Sequence, residues 1–386
     1  MGLGREVYIV EAVRTPIGRG KEDGALHGIH PVDLLARTLD TLMRRAGVEK
    51  AQVEDIIAGC VTPVGEQGTN IGRLAGLKAG FPIEVPGLQL NRFCGSGQQA
   101  IHFAAQAIGC GDIDIAIGCG IESMSRVPMG SDAALTPEFR AGFPYELLHQ
   151  GISAEMVARK WGIGRTELDE FAIRSHALAA EAQHNSWTCS ELFPVELGPG
   201  SARRVLDFDE GVRSSVDPAK MASLKTVFQA DGVITAGNSS QISDGAAALL
   251  LASGEKADEL RLRKRARLVA RVAVGSDPVL MLTGPIDATK AVLRKAGLSI
   301  SDIDAVEINE AFASVVLAWA REIQPAMNRV NVQGGAIAHG HPLGATGAVL
   351  MTKLVNILER TGGRYGLQTM CIGFGMATAT IIERIA

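Results

Sequence analysis

Aromatic side chains make up only 4% of this sequence, and no signal peptide or membrane-spanning segment is visible in it. Basic charge is not in excess either. Lys and Arg number 38 against 42 Asp and Glu, a net charge of −4, which argues against nucleic-acid or polybasic membrane binding. There are six cysteines, Cys60, Cys94, Cys110, Cys119, Cys189 and Cys371, in 386 residues. In a long chain without an export signal they are expected to be free thiols in a reducing, cytoplasmic setting. The opening MGLGRE begins like a myristoylation signal but has Glu6 where Ser or Thr is needed, so no lipid anchor is expected.

What is abundant is small and apolar: 45 glycines and a hydrophobic fraction of 46%, enough to bury two or three cores. The chain also echoes itself. "YIVEAV", "DIIAGCV", "GLQLNRFCGSGQQAIHFAAQAI" and "DIDIAIGCGIES" run strand, helix, strand, glycine-rich turn, long helix, strand. "RLVARVAV", "DIDAVEINEAF", "RVNVQGGAIAHGHPLGATGAVLMTKLVNIL" and "GLQTMCIGFGMATATIIERI" repeat that order. The alternation predicts an α/β protein of two similar halves, with mostly parallel strands covered by helices. Residues 125–256 differ in character and read as an excursion packed over the site, separating an N-terminal half (1–124) from a C-terminal half (257–386). Both glycine-rich turns fall at carboxyl ends of strands, where open α/β sheets place their ligands.

Cys94, in "NRFCGSGQQA", stands where a strand turns into a helix. Unpaired N–H groups and the positive end of a helix dipole favour a thiolate there, although a free cysteine in such a turn also reads as a small buried hydrophobe. Three further segments bear on the choice: "NEAFA" from Asn309, "GGAIAHGHPLGATG" from Gly334, and "MCIGFG" with Cys371. Cysteine beside histidine is the minimal activated sulfur nucleophile, and a second cysteine allows separate proton handling at a substrate carbon. His339 and His341 have no third ligand nearby, so no metal is expected. Neither "CGSGQQA" nor "CIGFGMA" completes a dinucleotide fingerprint.

With those motifs in that order, and agreement from "VEAVRTP" to "IIERI", the chain resembles the thiolases, acyl-CoA C-acyltransferases. The resemblance implies the thiolase fold, two βαβαβαββ halves with an inserted loop domain. It implies Cys94 as nucleophile, His341 as its activator, Cys371 as general acid/base and Asn309 as the residue that orients a water. That water with His341 would form one oxyanion hole, and the backbone N–H groups of Cys94 and Gly373 a second. Carried over in the same way, His149, Gln150, Ala236 and Ser240 would contact pantetheine, and Arg213, Leu224 and Phe228 the nucleotide end. Ala311 and Phe312 would lie near the reactive end, and Met281 would line the acyl pocket. The position of His339 is usually aliphatic in the family. Acyl-CoA and CoA would be the substrates, with no cofactor, in a homodimer or homotetramer.

The implied reaction is cleavage of a 3-ketoacyl-CoA by CoA to acetyl-CoA and a shortened acyl-CoA, reversible as a Claisen condensation. A short segment between Pro128 and His149, with Leu282 and Phe374 adding apolar surface, points to medium-length or bulky, ring-derived acyl chains. The alternative is that Phe374 plugs the tunnel and leaves an acetoacetyl-CoA-specific acetyltransferase. A ketoacyl synthase is disfavoured by Cys371. A non-catalytic acyl-CoA-binding relative is disfavoured by the presence of all three motifs. A dithiol redox protein leaves His341 and Asn309 unexplained.

Overall fold

The computed structural model describes residues 4–133, 135–198 and 204–385, so the first three residues of the MGLGRE opening lie outside it. The first half begins with β1 (Val7–Arg14), the two-residue β2 (Gly18–Arg19) and α1 (Pro31–Ala46). The start and stop of α1 are local: His30 caps the N-terminus, Pro31 opens the first turn and Gly47 closes the helix at φ 64°. Then follow β3 (Asp55–Gly59), α2 (Ile71–Lys78), β4 (Gly87–Leu90), α3 (Ser96–Cys110) and β5 (Ile115–Ser123).

The chain next leaves the sheet through α4 (Pro137–Gly142), α5 (Gln150–Lys160), α6 (Arg165–His184), the hairpin β6 (Val195–Leu197) and β7 (Arg204–Leu206), and α7 (Pro218–Ala222). It returns as β8 (Ser243–Ser253), which continues into α8 (Gly254–Glu259). The second half comprises β9 (Ala266–Gly275), α9 (Gly284–Ala296), β10 (Ala305–Ile308), α10 (Ala313–Ile323), α11 (Ala336–His339), α12 (Leu343–Thr361), β11 (Tyr365–Ile372) and β12 (Met376–Arg384).

The main sheet runs β10-β11-β12-β9-β1-β8-β5-β3-β4, with β2 paired to β8. It is mixed, not mostly parallel. Only β3–β4, β3–β5 and β10–β11 are parallel, because each half ends by folding back on itself, as β5 with β8 and β11 with β12. Buried strands look alike in sequence whichever way they run, so hydrophobic pattern does not carry direction. β8 also corrects the extent of the excursion. It lies inside 125–256, yet it is hydrogen-bonded between β1 and β5 and fully buried, so the excursion ends where β8 begins.

The two halves meet through β1 and β9, paired only at Tyr8↔Arg267 and Ile9↔Ala266. One core lies under α1 and another under α9 and α10. A third holds α3 and α12 between the half-sheets. Every residue of α12 from Leu343 to Leu358 is buried, as expected of a helix apolar on all sides. α3 and α12 approach backbone to backbone: a Cβ on Gly347 would come 2.1 Å from the Gln98 nitrogen, and one on Gly97 2.7 Å from Gly344 O. The excursion is tied down by Arg14 of β1, fully buried, which pairs with Glu191 and Asp209 at 2.7 Å each.

Candidate active site

Cys94 ends the turn from β4 into α3. Asn91 Oδ1 accepts from Phe93 N–H at 2.7 Å, and Ser96 Oγ accepts from Arg92 N–H at 2.8 Å while donating to Phe93 O at 2.6 Å. Phe93 is held at φ 44°, and a Cβ on Gly95 would fall 2.3 Å from Ile372 Cδ1, so the turn is built on the second half-sheet. Cys94 is 5% exposed, and burial pushes its thiol up to about 11, while the N–H groups of Cys94 and Gly373 pull it back. In the ligand-free protein the sulfur is therefore a thiol. The dipole at the start of α3, which favours a thiolate, is outweighed by desolvation.

His341 follows α11 and precedes α12. Its N–H is shared between Gln241 O at 3.1 Å and Ser243 Oγ at 3.2 Å. Nδ1 lies 2.6 Å from Thr346 Oγ1, whose own proton goes to Pro342 O at 2.8 Å. Thr346 thus accepts, Nδ1 carries the imidazole proton and Nε2 is the bare nitrogen. Burial pushes His341 down to about 3, so the ring is neutral. Asn309, at the end of β10, places its amide nitrogen 3.2 Å from Nε2, and its Oδ1 is buried without a protein partner. A buried acceptor of that kind is suited to a bound water.

Cys371 is on β11, just before the turn Gly373–Phe374–Gly375 into β12. Burial, and then the neighbouring Cys94, push its thiol upward. Among the described residues, no group of three or more His, Cys, Asp or Glu is placed to hold a metal ion, and no helix is long and apolar enough to cross a membrane.

Two adjoining cavities give access to these groups. The larger, about 530 Å³, is lined by Cys94, Gly373, Phe374, Met281, His149 and Gln150 among others. The smaller, about 120 Å³, reaches His341, Ser240, Ala311, Phe312 and Phe228; His149, Gln150, Met129 and Leu343 line both. His149 stacks on Phe228 at 5.0 Å between ring centroids, and Phe228 meets Phe312 edge-on at 6.0 Å. Asn309 and Cys371 are buried and are not among the residues that line either cavity.

Arg213, Leu224 and Ala236 line neither cavity. Arg213 and Ala236 are exposed, and Leu224 is half-buried beside Gly237. Leu282 also departs from expectation. Met281, at φ 52°, faces the cavity while Leu282, 2% exposed, packs into the core.

Two buried carboxylates escaped the sequence. Glu122 accepts from Val61 N and Gly344 N at 2.9 Å each, Thr62 N at 3.2 Å and Gln67 Nε2 at 2.7 Å, pinning the start of α12 to β5. Glu310 accepts from Ser175 Oγ at 2.6 Å, Asn331 Nδ2 at 2.9 Å and Ile337 N at 3.2 Å, fixing the loop that leads to His341. An acid inside an otherwise apolar run, as in "GCGIES" and "INEAF", was the available signal.

The chain is similar to known proteins along nearly its whole length. Residues 7–255 match the family described as thiolase, N-terminal domain, and residues 262–384 that described as thiolase, C-terminal domain. A steroid 3-ketoacyl-CoA thiolase of Mycobacterium tuberculosis, FadA6, is 48% identical over 98% of this chain and 94% of that protein. A 3-ketoacyl-CoA thiolase of Vibrio parahaemolyticus is 42% identical over 98% of both chains. The crystal structure of human mitochondrial 3-ketoacyl-CoA thiolase superposes with a TM-score of 0.91 at 34% identity, covering 100% of each chain.

Proposed function

The chain belongs to the thiolase family and is a 3-ketoacyl-CoA thiolase, an acyltransferase acting on acyl-CoA and CoA; from that premise we propose how its residues divide the reaction. The observation that carries the proposal is the placement of Cys94 on the larger cavity, with Cys371 beside it and a neutral His341 opening onto the adjoining one.

Cys94 Sγ gives its proton to His341 Nε2 and attacks the ketone carbon of the 3-ketoacyl-CoA. The alkoxide forms against the N–H groups of Cys94 and Gly373. Its collapse breaks the bond between C2 and C3, leaving the acyl group on sulfur and the electron pair on the acetyl-CoA enolate. Once protonated, Nε2 is a donor, so taking the proton from Cys94 also makes His341 a partner for the enolate oxygen, alongside a water held by Asn309. Cys371, kept protonated by burial, delivers the proton to C2. His341 passes its proton on to Cys371 and then takes the thiol proton of free CoA, whose sulfur removes the acyl group from Cys94; the Cys94 sulfur recovers that proton from His341. No redox change occurs at any step, and coenzyme A serves as substrate, not as resident cofactor.

His149, Gln150 and Ser240 line the approach, which supports them as pantetheine contacts; Ala311 and Phe312 line it beside His341, in keeping with the reactive end, and Phe228, expected at the nucleotide end, lines it too, stacked on His149. Arg213, Leu224 and Ala236 lie outside the cavities; on family likeness alone Arg213 and Leu224 are assigned to the nucleotide end and Ala236 to pantetheine. The acyl group is of medium length or bulky and ring-derived. A cavity of about 530 Å³ with Met281 and Phe374 in its wall supports this, as does the 48%-identical relative, which is named for a steroid substrate. The protein works in the cytoplasm as at least a homodimer, with a homotetramer as the larger alternative. β4 supports pairing between copies, since it is one edge of the sheet with Leu88 43% exposed. A fully active monomer by light scattering defeats that assembly.

The test of the reaction is the absorbance of the 3-ketoacyl-CoA enolate–magnesium complex, with and without free CoA, joined to intact-mass measurement of the acylated protein. CoA-dependent loss of signal and an acyl adduct absent from Cys94→Ala are expected. An adduct that persists on Cys94→Ala overturns the nucleophile.

A further inference from the structure

Lys353 is on α12, its side chain 1% exposed, where an ammonium group is stable only if its protons are matched. Gly334 O at 2.6 Å and His339 Nε2 at 3.2 Å accept from it, and Glu307 Oε2 forms an ion pair with it at 3.1 Å. His339 Nδ1 lies 3.1 Å from Gly340 O and donates to it, which leaves Nε2 free to accept from the lysine. Two of the Lys353 protons thus have hydrogen-bond partners, and Glu307 balances the charge as an ion pair.

Their placement is informative. Gly334 and His339 bracket the loop and α11 that lead to His341, and Glu307 precedes Asn309 by two residues on β10. One ammonium group therefore bonds both segments whose side chains meet as the His341–Asn309 pair. The charges around it are Glu191 and Glu310 toward Glu307, and Asp209 and Arg14 toward His339. Burial raises Glu307 to about 7 even with Lys353 beside it, so a neutral side chain at that position is tolerable near neutral pH.

We propose that Lys353 is a positioning residue for thiolysis: it holds the His341 loop against the end of β10, acting on the loop through His339 and Gly334 and on the strand through Glu307. This rests on the roles given above to His341 and Asn309.

The experiment measures CoA-dependent thiolysis by the parent first, then kcat, KM for CoA and single-turnover acylation of Cys94 in the variants. Lys353→Met should lower kcat and the acylation rate about 10- to 100-fold, the scale of a small misplacement of reacting groups, while KM for CoA stays within about twofold. His339→Leu should fall in the same way. His339→Gln, whose amide oxygen can accept from Lys353, should recover most of the rate. A purely structural lysine would lower the melting temperature and leave kcat of the folded protein unmoved. If Lys353→Met does not fold, Lys353→Met with Glu307→Gln removes the stranded carboxylate and takes its place. A folded Lys353 variant with kcat within about twofold of the parent, or equal rates for His339→Leu and His339→Gln, overturns the positioning role and leaves the activity standing. A parent without CoA-dependent thiolysis overturns both.

Discussion

His341 Nε2 and the amide nitrogen of Asn309 lie 3.2 Å apart, although one enters from the loop before α12 and the other from the end of β10. The pair leaves Asn309 Oδ1 buried and unmatched, beside the nitrogen that must gain and lose a proton. Asn309→Ala should therefore lower kcat for thiolysis about 100- to 1,000-fold, the scale of losing one oxyanion partner. Steady-state kinetics at saturating CoA gives the value, and a fall of less than about threefold removes Asn309 from the oxyanion hole.

Cys94 at about 11 and His341 at about 3 imply a neutral pair at rest. Inactivation by iodoacetamide, followed by loss of activity, should rise about tenfold per pH unit from 7 to 10, because thiolate is still the minor form throughout. His341 should impose no inflection between pH 5 and 8. A rate that levels off near pH 7 would mean that the helix dipole and His341 already ionise the sulfur.

Cys371→Ala should still become acylated at Cys94 while thiolysis falls about 100- to 10,000-fold, since only the carbon proton transfer is lost. Exchange of label between acetyl-CoA and free CoA separates the two halves of the cycle. Equal loss of exchange and thiolysis would make Cys371 a structural group or an activator of Cys94.

Across a series of 3-ketoacyl-CoA substrates, each added methylene should raise kcat/KM about fourfold, corresponding to about 0.8 kcal/mol, until the cavity is filled. Phe374→Ala should shift the optimum to longer chains, because the ring sits in the cavity wall 5.3 Å from that of Phe93. An optimum at acetoacetyl-CoA, with collapse by six carbons, would show that Phe374 plugs the tunnel.

Gly347→Ala should cost at least about 3 kcal/mol in urea unfolding, the upper end of overpacking penalties, because the new methyl meets the backbone of α3 at 2.1 Å and neither helix can retreat. A loss below about 1 kcal/mol would mean that α3 and α12 slide.

The reacting residues were legible because chemistry and geometry coincide in sequence. Cys94 and His341 stand beside glycine between regular elements, Cys371 lies on β11 just before a glycine turn, and Asn309 follows the end of a strand. The repeat was legible too, since β1, α1, β3 and α3 find counterparts in β9, α9, β10 and α12. The direction of β8 and β12 was not, since an apolar run carries no sign. Nor was the ionisation of Cys94, because the helix start is visible in sequence while burial depends on Ile372, Leu343 and other residues far along the chain. Glu122, Glu310 and Lys353 were missed for a related reason: each is explained only by partners brought up from other elements. Of the two apolar neighbours expected on the cavity, Met281 lines it and Leu282 packs into the core, a choice that sequence adjacency does not reveal.

The excursion leaves at the end of β5 and returns at the start of β8, and these two points are neighbours, with Ser123 paired to Asp244 across an antiparallel ladder. The whole segment that supplies His149, Phe228 and Ser240 is thus inserted where a tight hairpin turn would otherwise join the two strands. Exchange in its cavity-lining parts, away from Ser175, Glu191, Asp209 and Gln241 that hold the His341 loop and β1, leaves the β5–β8 ladder with its own pairing. The nucleophile and its proton partners can stay fixed while the part that meets the rest of the substrate diverges, so acyl preference and reaction chemistry are open to separate selection in this chain.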